Sequence, residues 1–269
     1  MSAADEAAPP SAPVASTTGR LLLVPNALDL GAGPVDIRQV LPLGVLQQAA
    51  GLGHWLAEDA RSTRAFLKRV DAVVPLRLAL QAIDIRELPR PGKGGAAGAG
   101  STGIAWSELL APALAGHDLG LISEAGLPAV ADPGAAAVAA AHMLGLAVLP
   151  LPGASALLLA LAASGLNGQS FAFVGYLPQD PAHRSARLRE LQAASRRSGQ
   201  TQLLIETPYR NATLLKALVD TLADDTRLSI SCGLSLPSGW TRTDRISGWR
   251  QRPAHMPDKV PAVFAFLAG

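Results

Sequence analysis

Residues 121–134 read LISEAGLPAVADPG, and this stretch constrains the chain more than any other. The apolar pair Leu121–Ile122 runs into a small acidic turn broken by Gly126. Pro128, Pro133 and Gly134 follow before an Ala-rich run begins. Proline stiffens such a loop by fixing φ, and glycine leaves its backbone open to close approach. A buried strand ending this way belongs to an open α/β sheet, where ligands bind outside the carboxyl ends of the strands. The loop therefore lies where a cofactor is expected.

The same construction recurs along the chain. Short apolar runs end in VPNA at Val24–Ala27, PLPGAS at Pro150–Ser155, GYLP at Gly175–Pro178 and ETPYR at Glu206–Arg210. Strands are expected at Arg20–Val24, His54–Ala57, Gly120–Ser123, Ala147–Leu149, Phe171–Val174, Gln202–Ile205, Leu228–Cys232 and Val263–Leu267. Helical patterning falls on Ile37–Gln48 (interrupted by Pro42), Arg61–Arg69 (capped by Asp59 or Ser62), Trp106–Leu114, Ala135–Leu144, Ser155–Ala163, Arg184–Ser195 and Asn211–Leu222. The alternation through Ala147–Leu149 predicts α/β architecture on a largely parallel sheet, and the pattern changes after PLPG. Two α/β domains are expected, 20–150 and 151–269, with the strand-end loops lining a cleft between them. Residues 1–19, rich in Ala, Pro and Ser, read as a disordered tail, and Pro91–Gly103 as a linker or lid loop.

Composition narrows the function classes. The chain has 269 residues, 49% hydrophobic and 16% charged, which is ample material for globular cores. Aromatics are only 4%, so those cores must be aliphatic. The single Cys232 excludes an intrachain disulfide and a Cys-rich metal site, and it fits a reducing compartment. His54, His117, His142, His183 and His255 form no HxH or HxxxH pair, so no metal is expected. The amino-terminal residues lack the basic start and apolar core of a secretory signal. The apolar run Ala154–Ala163 is too short to span a bilayer. A cytoplasmic protein with no membrane partner is expected.

The net charge of +2 names no partner, but it is unevenly spread. Residues 1–150 carry 10 Lys and Arg against 13 Asp and Glu, while residues 151–269 carry 13 against 8. Arg184, Arg187, Arg189, Arg196 and Arg197 form one cluster, and Arg242, Arg245, Arg250 and Arg252 a second. Such clusters can neutralise phosphates, although a solvated helix face is the plainer and preferred reading.

Several chemical motifs fail on spacing. GAGPVD at Gly31–Asp36 lacks the last glycine of GxGxxG and starts too far past its strand. PGKGG lacks the spacing and the Ser/Thr of a phosphate-binding Walker loop. Ser123 and Ser155 are not in a GxSxG elbow, which argues against a serine hydrolase. Glu124 and Asp132 form a carboxylate pair across the loop, or Asp132 caps the helix that follows. Glu58 and Asp59, with Arg61 and Arg64, read equally as a catalytic cluster or a strand-end ion network.

Five segments together resemble one family. LISEAGLPAVADPG, VLPLPGASALLLALAASGLNG, FAFVGYLP, LLIETPYRN and LAEDARSTRAFLKR at Leu56–Arg69 are similar to the tetrapyrrole methylase superfamily, the class III S-adenosylmethionine methyltransferases. They resemble most the RsmI-like branch, which methylates ribosomal RNA on ribose 2′-oxygens. The likeness runs over roughly Arg20–Gly269. One departure is VPNALDLGAGPVDI, where that branch carries TPIGNLxDIT. Another is the end of the chain near its last strand, without that branch's C-terminal extension.

The resemblance implies a two-domain α/β homodimer with S-adenosylmethionine folded into the interdomain cleft. By position, the cofactor would touch Ser123, Glu124, Ala125, Gly126, Leu127 and Pro128, then Pro152, Gly153 and Ser155. Tyr176, Leu177, Glu206, Thr207, Pro261 and Ala262 would complete its contacts, many through backbone. Methyl transfer is an in-line displacement for which the protein supplies alignment and desolvation. A ribose hydroxyl would need a base, for which Glu58, Asp59, Glu124 and Glu206 are candidates, with Arg61 and Lys259 able to stabilise negative charge. RNA is the leading acceptor. A small molecule such as a tetrapyrrole, or a non-enzymatic S-adenosylmethionine-binding role, stands as the alternative.

Overall fold

The computed structural model describes residues 18–28, 36–89 and 106–269. The tail through residue 17, residues 31–35 of GAGPVD and the Pro91–Gly103 segment lie outside the described residues.

The first sheet joins β1 (Arg20–Leu23), β2 (His54–Ala57), β3 (Asp84–Glu87), β4 (Leu119–Ile122) and β5 (Ala147–Pro150). Its order is β3-β2-β4-β1-β5, and every pairing is parallel. Side chains alternate between its two faces as strand geometry requires. Leu22, Trp55, Ala57 and Ile122 pack against α1 (Leu43–Gly51) and α2 (Ala60–Asp71). Leu21, Leu56 and Leu121 face α4 (Ala111–Leu114) and α5 (Ala135–Met143). The expected helix at Trp106–Leu114 is split, because Leu110 separates α3 (Trp106–Leu109) from α4, which carries Pro112 in its first turn.

The crossovers from β1 and β4 leave in opposite directions. β1 leads through α1 to β2 on one side, whereas β4 leads through α5, on the other face, to β5. The two strands are neighbours, so their carboxyl ends frame a crevice between diverging connections, the favoured ligand position in such sheets.

The second sheet joins β6 (Phe171–Gly175), β7 (Thr201–Ile205), β8 (Arg227–Cys232), β9 (Trp240–Arg245) and β10 (Ala262–Leu267) in the order β6-β7-β10-β8-β9. The pattern change after PLPG corresponds to a mixed sheet, unlike the all-parallel first sheet. Only β6 and β7 are parallel, while β10 runs antiparallel to β7 and β8, and β9 antiparallel to β8. One face packs on α6 (Ala156–Ser164) through Leu203, Val263 and Ala265. The other packs Leu204, Phe264 and Phe266 on α7 (Pro181–Ser198), α8 (Asn211–Thr221) and α9 (Ile246–Gln251).

Three elements escaped sequence reading. β3 (DIRE) and β9 (WTRTDR) are polar edge strands, so neither shows an apolar run, and α9 is only six residues long.

Candidate functional site

The loops after β1 and β4 meet at the crevice. Asn26 and Gly126 form an isolated antiparallel bridge, with Asn26 N donating to Gly126 O at 2.8 Å and Gly126 N donating to Asn26 O at 3.2 Å. The buried Asn26 side chain donates Nδ2 to the carbonyls of Ser123 at 3.1 Å and Glu124 at 3.0 Å. Asn26 thus organises the loop, a role invisible in the sequence because its partners lie nearly a hundred residues away.

The third segment of the expected site joins them. A Cβ on Gly153 would collide with the Pro25 ring, and one on Gly126 would lie 3.4 Å from Leu28 and 3.8 Å from the Ala154 carbonyl. Gly126 has φ +69°, which an L side chain rarely adopts. Ala129 and Ala131 in the same loop also have φ near +66°, as has Lys259 at φ +64° beside Pro261. Backbone strain of this kind clusters at ligand-holding sites. Ser155 is the N-cap of α6, a largely buried residue whose side chain makes no capping bond.

Carboxylates gather over this crevice. Glu58, immediately after β2, accepts a hydrogen bond from Glu124 N through Oε2 at 3.1 Å. Burial raises the Glu124 carboxyl above its ordinary range, and the charges of Glu58 and Asp59 add to the effect. Asp132 is pushed up to about 6 by burial first, then by Glu58 and Glu124, against a hydrogen bond from Ser123 that favours the charged form. Asp132 is therefore not the helix cap that its position before Pro133 allowed. Gly134, at φ +130°, is the N-cap of α5 and no side chain caps that end.

Asp59 is the cap, not a free base. It accepts from Ser62 N at 2.6 Å at the start of α2, and that bond holds its carboxyl below the ordinary range. Arg61 is exposed in the first turn of α2, and Arg64 bonds back weakly to the Ala60 carbonyl.

The second sheet contributes from its own strand ends. Tyr176 follows β6 with its ring 55% exposed, whereas the Leu177 side chain is buried in the core and offers only backbone. Burial raises the Tyr176 hydroxyl most, then the charges of Asp132 and Glu206, opposed by Arg210. Asp132 of the first sheet and Tyr176, Glu206 and Arg210 of the second therefore share one electrostatic neighbourhood. Glu206 is committed locally: Arg210 Nε lies 2.8 Å from Oε1, and Thr207 N donates to Oε2 at 2.7 Å.

The segment before β10 closes the same side. Asn211 Nδ2 holds the Val260 carbonyl at 3.0 Å, and Pro261 O accepts from Gly233 N at 2.9 Å, toward β8. By strand alternation the peptide of Ala262 turns the other way, toward the point where the chain leaves β7 after Ile205. Lys259 is exposed beside this segment. Of the expected residues, the structure thus brings those at 123–128 against those at 152–155, and those at 176–177 near 206–207. Arg61 stands apart on the surface of α2.

The basic clusters are largely engaged in intramolecular pairs. Asp244 takes Arg242 at 3.1 Å and Arg252 at 2.8 Å, Arg250 pairs with Asp224, and Arg196 pairs with Asp225 at 3.1 Å. Arg187 pairs with Glu190 at 3.0 Å on α7. A further open cavity of about 590 Å³ lies at the opposite, amino end of the first sheet, beside Arg20, Gln47, Arg77 and His117. There Arg20 and Asp118 are locked to each other at 2.6 Å, and none of the strand-end loops takes part. Among the described residues no group of three His, Cys, Asp or Glu could hold a metal ion, and no helix is long and apolar enough to cross a membrane.

No protein-family profile matches the chain. Curated relatives do. The chain is 39% identical over 130 residues to "Ribosomal RNA small subunit methyltransferase I" of Mesorhizobium japonicum, covering 48% of this chain and 43% of that protein. It is 33% identical over 168 residues to the protein of that name in Halalkalibacterium halodurans, covering 62% of this chain and 48% of the relative. The match in Pseudomonas aeruginosa is 43% identical over 105 residues, 39% of this chain and 35% of that protein. The matched stretches span less than half the length of each of these relatives. Among solved structures, a uroporphyrin-III-C-methyltransferase from Thermus thermophilus superposes with a TM-score of 0.51 at 19% identity, over 92% of this chain and 94% of the other. The methyltransferase CobJ superposes with a TM-score of 0.54 at 16% identity over the same shares. These two establish a common two-domain fold.

Proposed function

We propose that this chain is a member of the RsmI-like tetrapyrrole methylase family, a reading its curated relatives and shared fold support, and that it binds S-adenosylmethionine in the crevice between its two sheets and methylates RNA on a ribose 2′-oxygen. The observation that carries the reading is the meeting of the loops after β1, β4 and β5 at Asn26, Gly126 and Gly153, with the charges of Asp132 and Glu206 both acting on Tyr176 after β6.

The crevice suits the cofactor. Gly126 and Gly153 let the strand-end loops pack tightly together, since a Cβ at 153 would strike Pro25 and Gly126 takes φ +69° beside Leu28 and the Ala154 carbonyl. The amino end of α6, at Ser155, points partial positive charge at a carboxylate. Glu58, Glu124 and Asp132 offer negative charge to a sulfonium. Bound there, S-adenosylmethionine supplies the methyl group and a thioether leaving group. The residues 123–128, 152–155, 176–177, 206–207 and 261–262 hold and orient it, chiefly through backbone. Asp59 and Glu206 are tied to a helix end and to Arg210, which leaves Glu58, Glu124 and Asp132 as proton acceptors for a hydroxyl. Asp132, near 6, suits taking a proton at neutral pH. The name of these relatives supports ribosomal RNA as the acceptor.

A second copy of the chain fits the α6 face of the second sheet. α6 packs over β10, β8 and β9, and Leu158 and Leu159 of α6 and Phe171 and Phe173 of the edge strand β6 are exposed. A reducing cytoplasmic setting suits the one free, buried Cys232.

Calorimetric titration with S-adenosylmethionine tests the reading, followed by transfer of labelled methyl to small-subunit ribosomal RNA or to a tetrapyrrole. Micromolar binding with label in RNA is expected. Absence of heat at millimolar ligand overturns it, and label in the tetrapyrrole alone replaces the acceptor.

A further inference from the structure

The sequence contains two tyrosines in a chain that is only 4% aromatic, and both stand at the same edge of the second sheet. β6 and β7 are parallel neighbours, so their carboxyl ends lie side by side. Tyr176 is the first residue after β6, and Tyr209 lies four residues beyond the end of β7. Core formation explains neither ring, since Tyr176 is 55% and Tyr209 73% exposed.

The two rings are linked through one charged pair. The Arg210 guanidinium lies 5.7 Å from the centre of the Tyr209 ring and is fixed by Glu206 at 2.8 Å. The charges of that same Arg210 and Glu206 act on Tyr176. The ion pair thus orders the stretch that carries Tyr209 and sits within reach of Tyr176. Exposed aromatic rings beside an anchored guanidinium are the means by which proteins hold unstacked bases.

The surroundings favour bases over phosphates. The residues at the crevice mouth are mostly acidic, with Glu58, Glu124 and Asp132 on the first-sheet side. Carboxylates repel a phosphate backbone but accept hydrogen bonds from the amino groups of bases. A paired base has its faces covered by its neighbours, so a segment presenting a free face must be single-stranded.

We propose that Tyr176 and Tyr209 form a stacking platform at the mouth of the crevice for an unpaired base of single-stranded RNA. This platform rests on the methyltransferase reading and names the form of its acceptor. The Tyr176 ring stacks outward while its backbone stays with the cofactor wall.

The test measures binding of three fluorescent probes to the full chain saturated with S-adenosylmethionine: a ten-nucleotide single strand, the same strand with abasic sites at its centre, and its duplex. The single strand should bind most tightly, and the abasic and duplex probes roughly tenfold more weakly or worse. Tyr176→Leu and Tyr209→Leu, which keep volume and remove the ring, should each weaken single-strand binding by roughly tenfold. Tyr176→Phe and Tyr209→Phe should bind as the wild type does. Melting temperature and sedimentation should be unchanged in all four variants, and cofactor affinity should be unchanged in the two Tyr209 variants. Equal binding of intact and abasic strands, or leucine variants that bind as wild type, overturns the platform. So does a leucine variant whose loss follows a changed oligomeric state, which would assign the rings to a subunit contact. Wild-type protein that binds cofactor but no RNA overturns the platform and leaves the cofactor site standing. Wild-type protein that binds no cofactor fails the underlying reading itself.

Discussion

Asn26 and Gly126 bond to each other's backbone in both directions, across a gap of 100 residues, and so fasten the loop after β1 to the loop after β4. The Asn26 amide also satisfies two carbonyls of the second loop. Replacing Asn26 with Ala leaves those carbonyls without a donor in a buried setting, which costs about 1–3 kcal/mol. Urea unfolding of Asn26→Ala should show that loss with an unchanged m-value. An unaltered midpoint would show that water replaces the amide without cost.

Gly126 is the other half of this contact. Its φ of +69° penalises any L side chain by about 1–2 kcal/mol, most of all a β-branched one. Gly126→Val also places methyl groups toward Leu28 and the Ala154 carbonyl, where two walls of the proposed cofactor site meet. The variant should fold, with an unchanged far-ultraviolet dichroism spectrum, and lose S-adenosylmethionine affinity by calorimetry. Unchanged affinity would make the loop purely structural.

Asp132 gives the stability a pH dependence of defined sign. Its carboxyl lies at about 6 in the folded chain against an ordinary 3.8, so between those values the folded state binds more protons than the unfolded state. Stability should therefore fall as pH rises from about 4 to about 6 and level off above that. Full expression of the difference would be about 3 kcal/mol, and partial solvent access reduces this to about 1–2 kcal/mol. Asp132→Asn should flatten that slope and raise stability at pH 7. It should also weaken cofactor binding if the carboxylate faces the sulfonium. Melting curves at pH 4, 5, 6 and 7 decide the first point, and calorimetry at pH 7 the second.

Phe171 and Phe173 point to the same side of an edge strand, as alternate residues do. If a second copy covers them, Phe173→Glu places a charge in the interface and should convert a dimer to a monomer in sedimentation velocity. The single chain should keep its dichroism spectrum. A wild-type chain that sediments as a monomer at micromolar concentration would remove the dimer from the proposal.

Much of the site was legible in the sequence because its chemistry is local. An apolar strand followed by Gly, Pro and small polar residues announces a strand-end loop wherever it occurs, and the loops at 24–27, 121–134, 150–155, 175–178 and 206–210 are legible this way, whereas the residues in them expected to touch a cofactor come from the family resemblance alone. The charged pairs were less legible, because a charge reveals nothing about its partner. Asp59 and Asp132 look alike in sequence, yet one caps α2 and is held below its ordinary range while the other is buried beside two carboxylates and raised. Arg242 and Arg252, read as phosphate ligands or a solvated face, share Asp244.

By itself the sequence determined where strands end, which loops are free of bulky side chains, and that the cores are aliphatic. These are properties of the chain within a few residues, set by hydrophobic period and by the backbone freedom of glycine and proline. Tertiary structure alone decided that β1 and β4 are neighbours with diverging crossovers, that Asn26 organises a loop far away in sequence, and that the polar strands β3 and β9 are strands at all. Each of these depends on a partner supplied by another part of the chain. A hydrogen-bonded ladder, a buried carbonyl or a neighbouring charge has no signature at the residue that needs it until the fold brings its counterpart within reach.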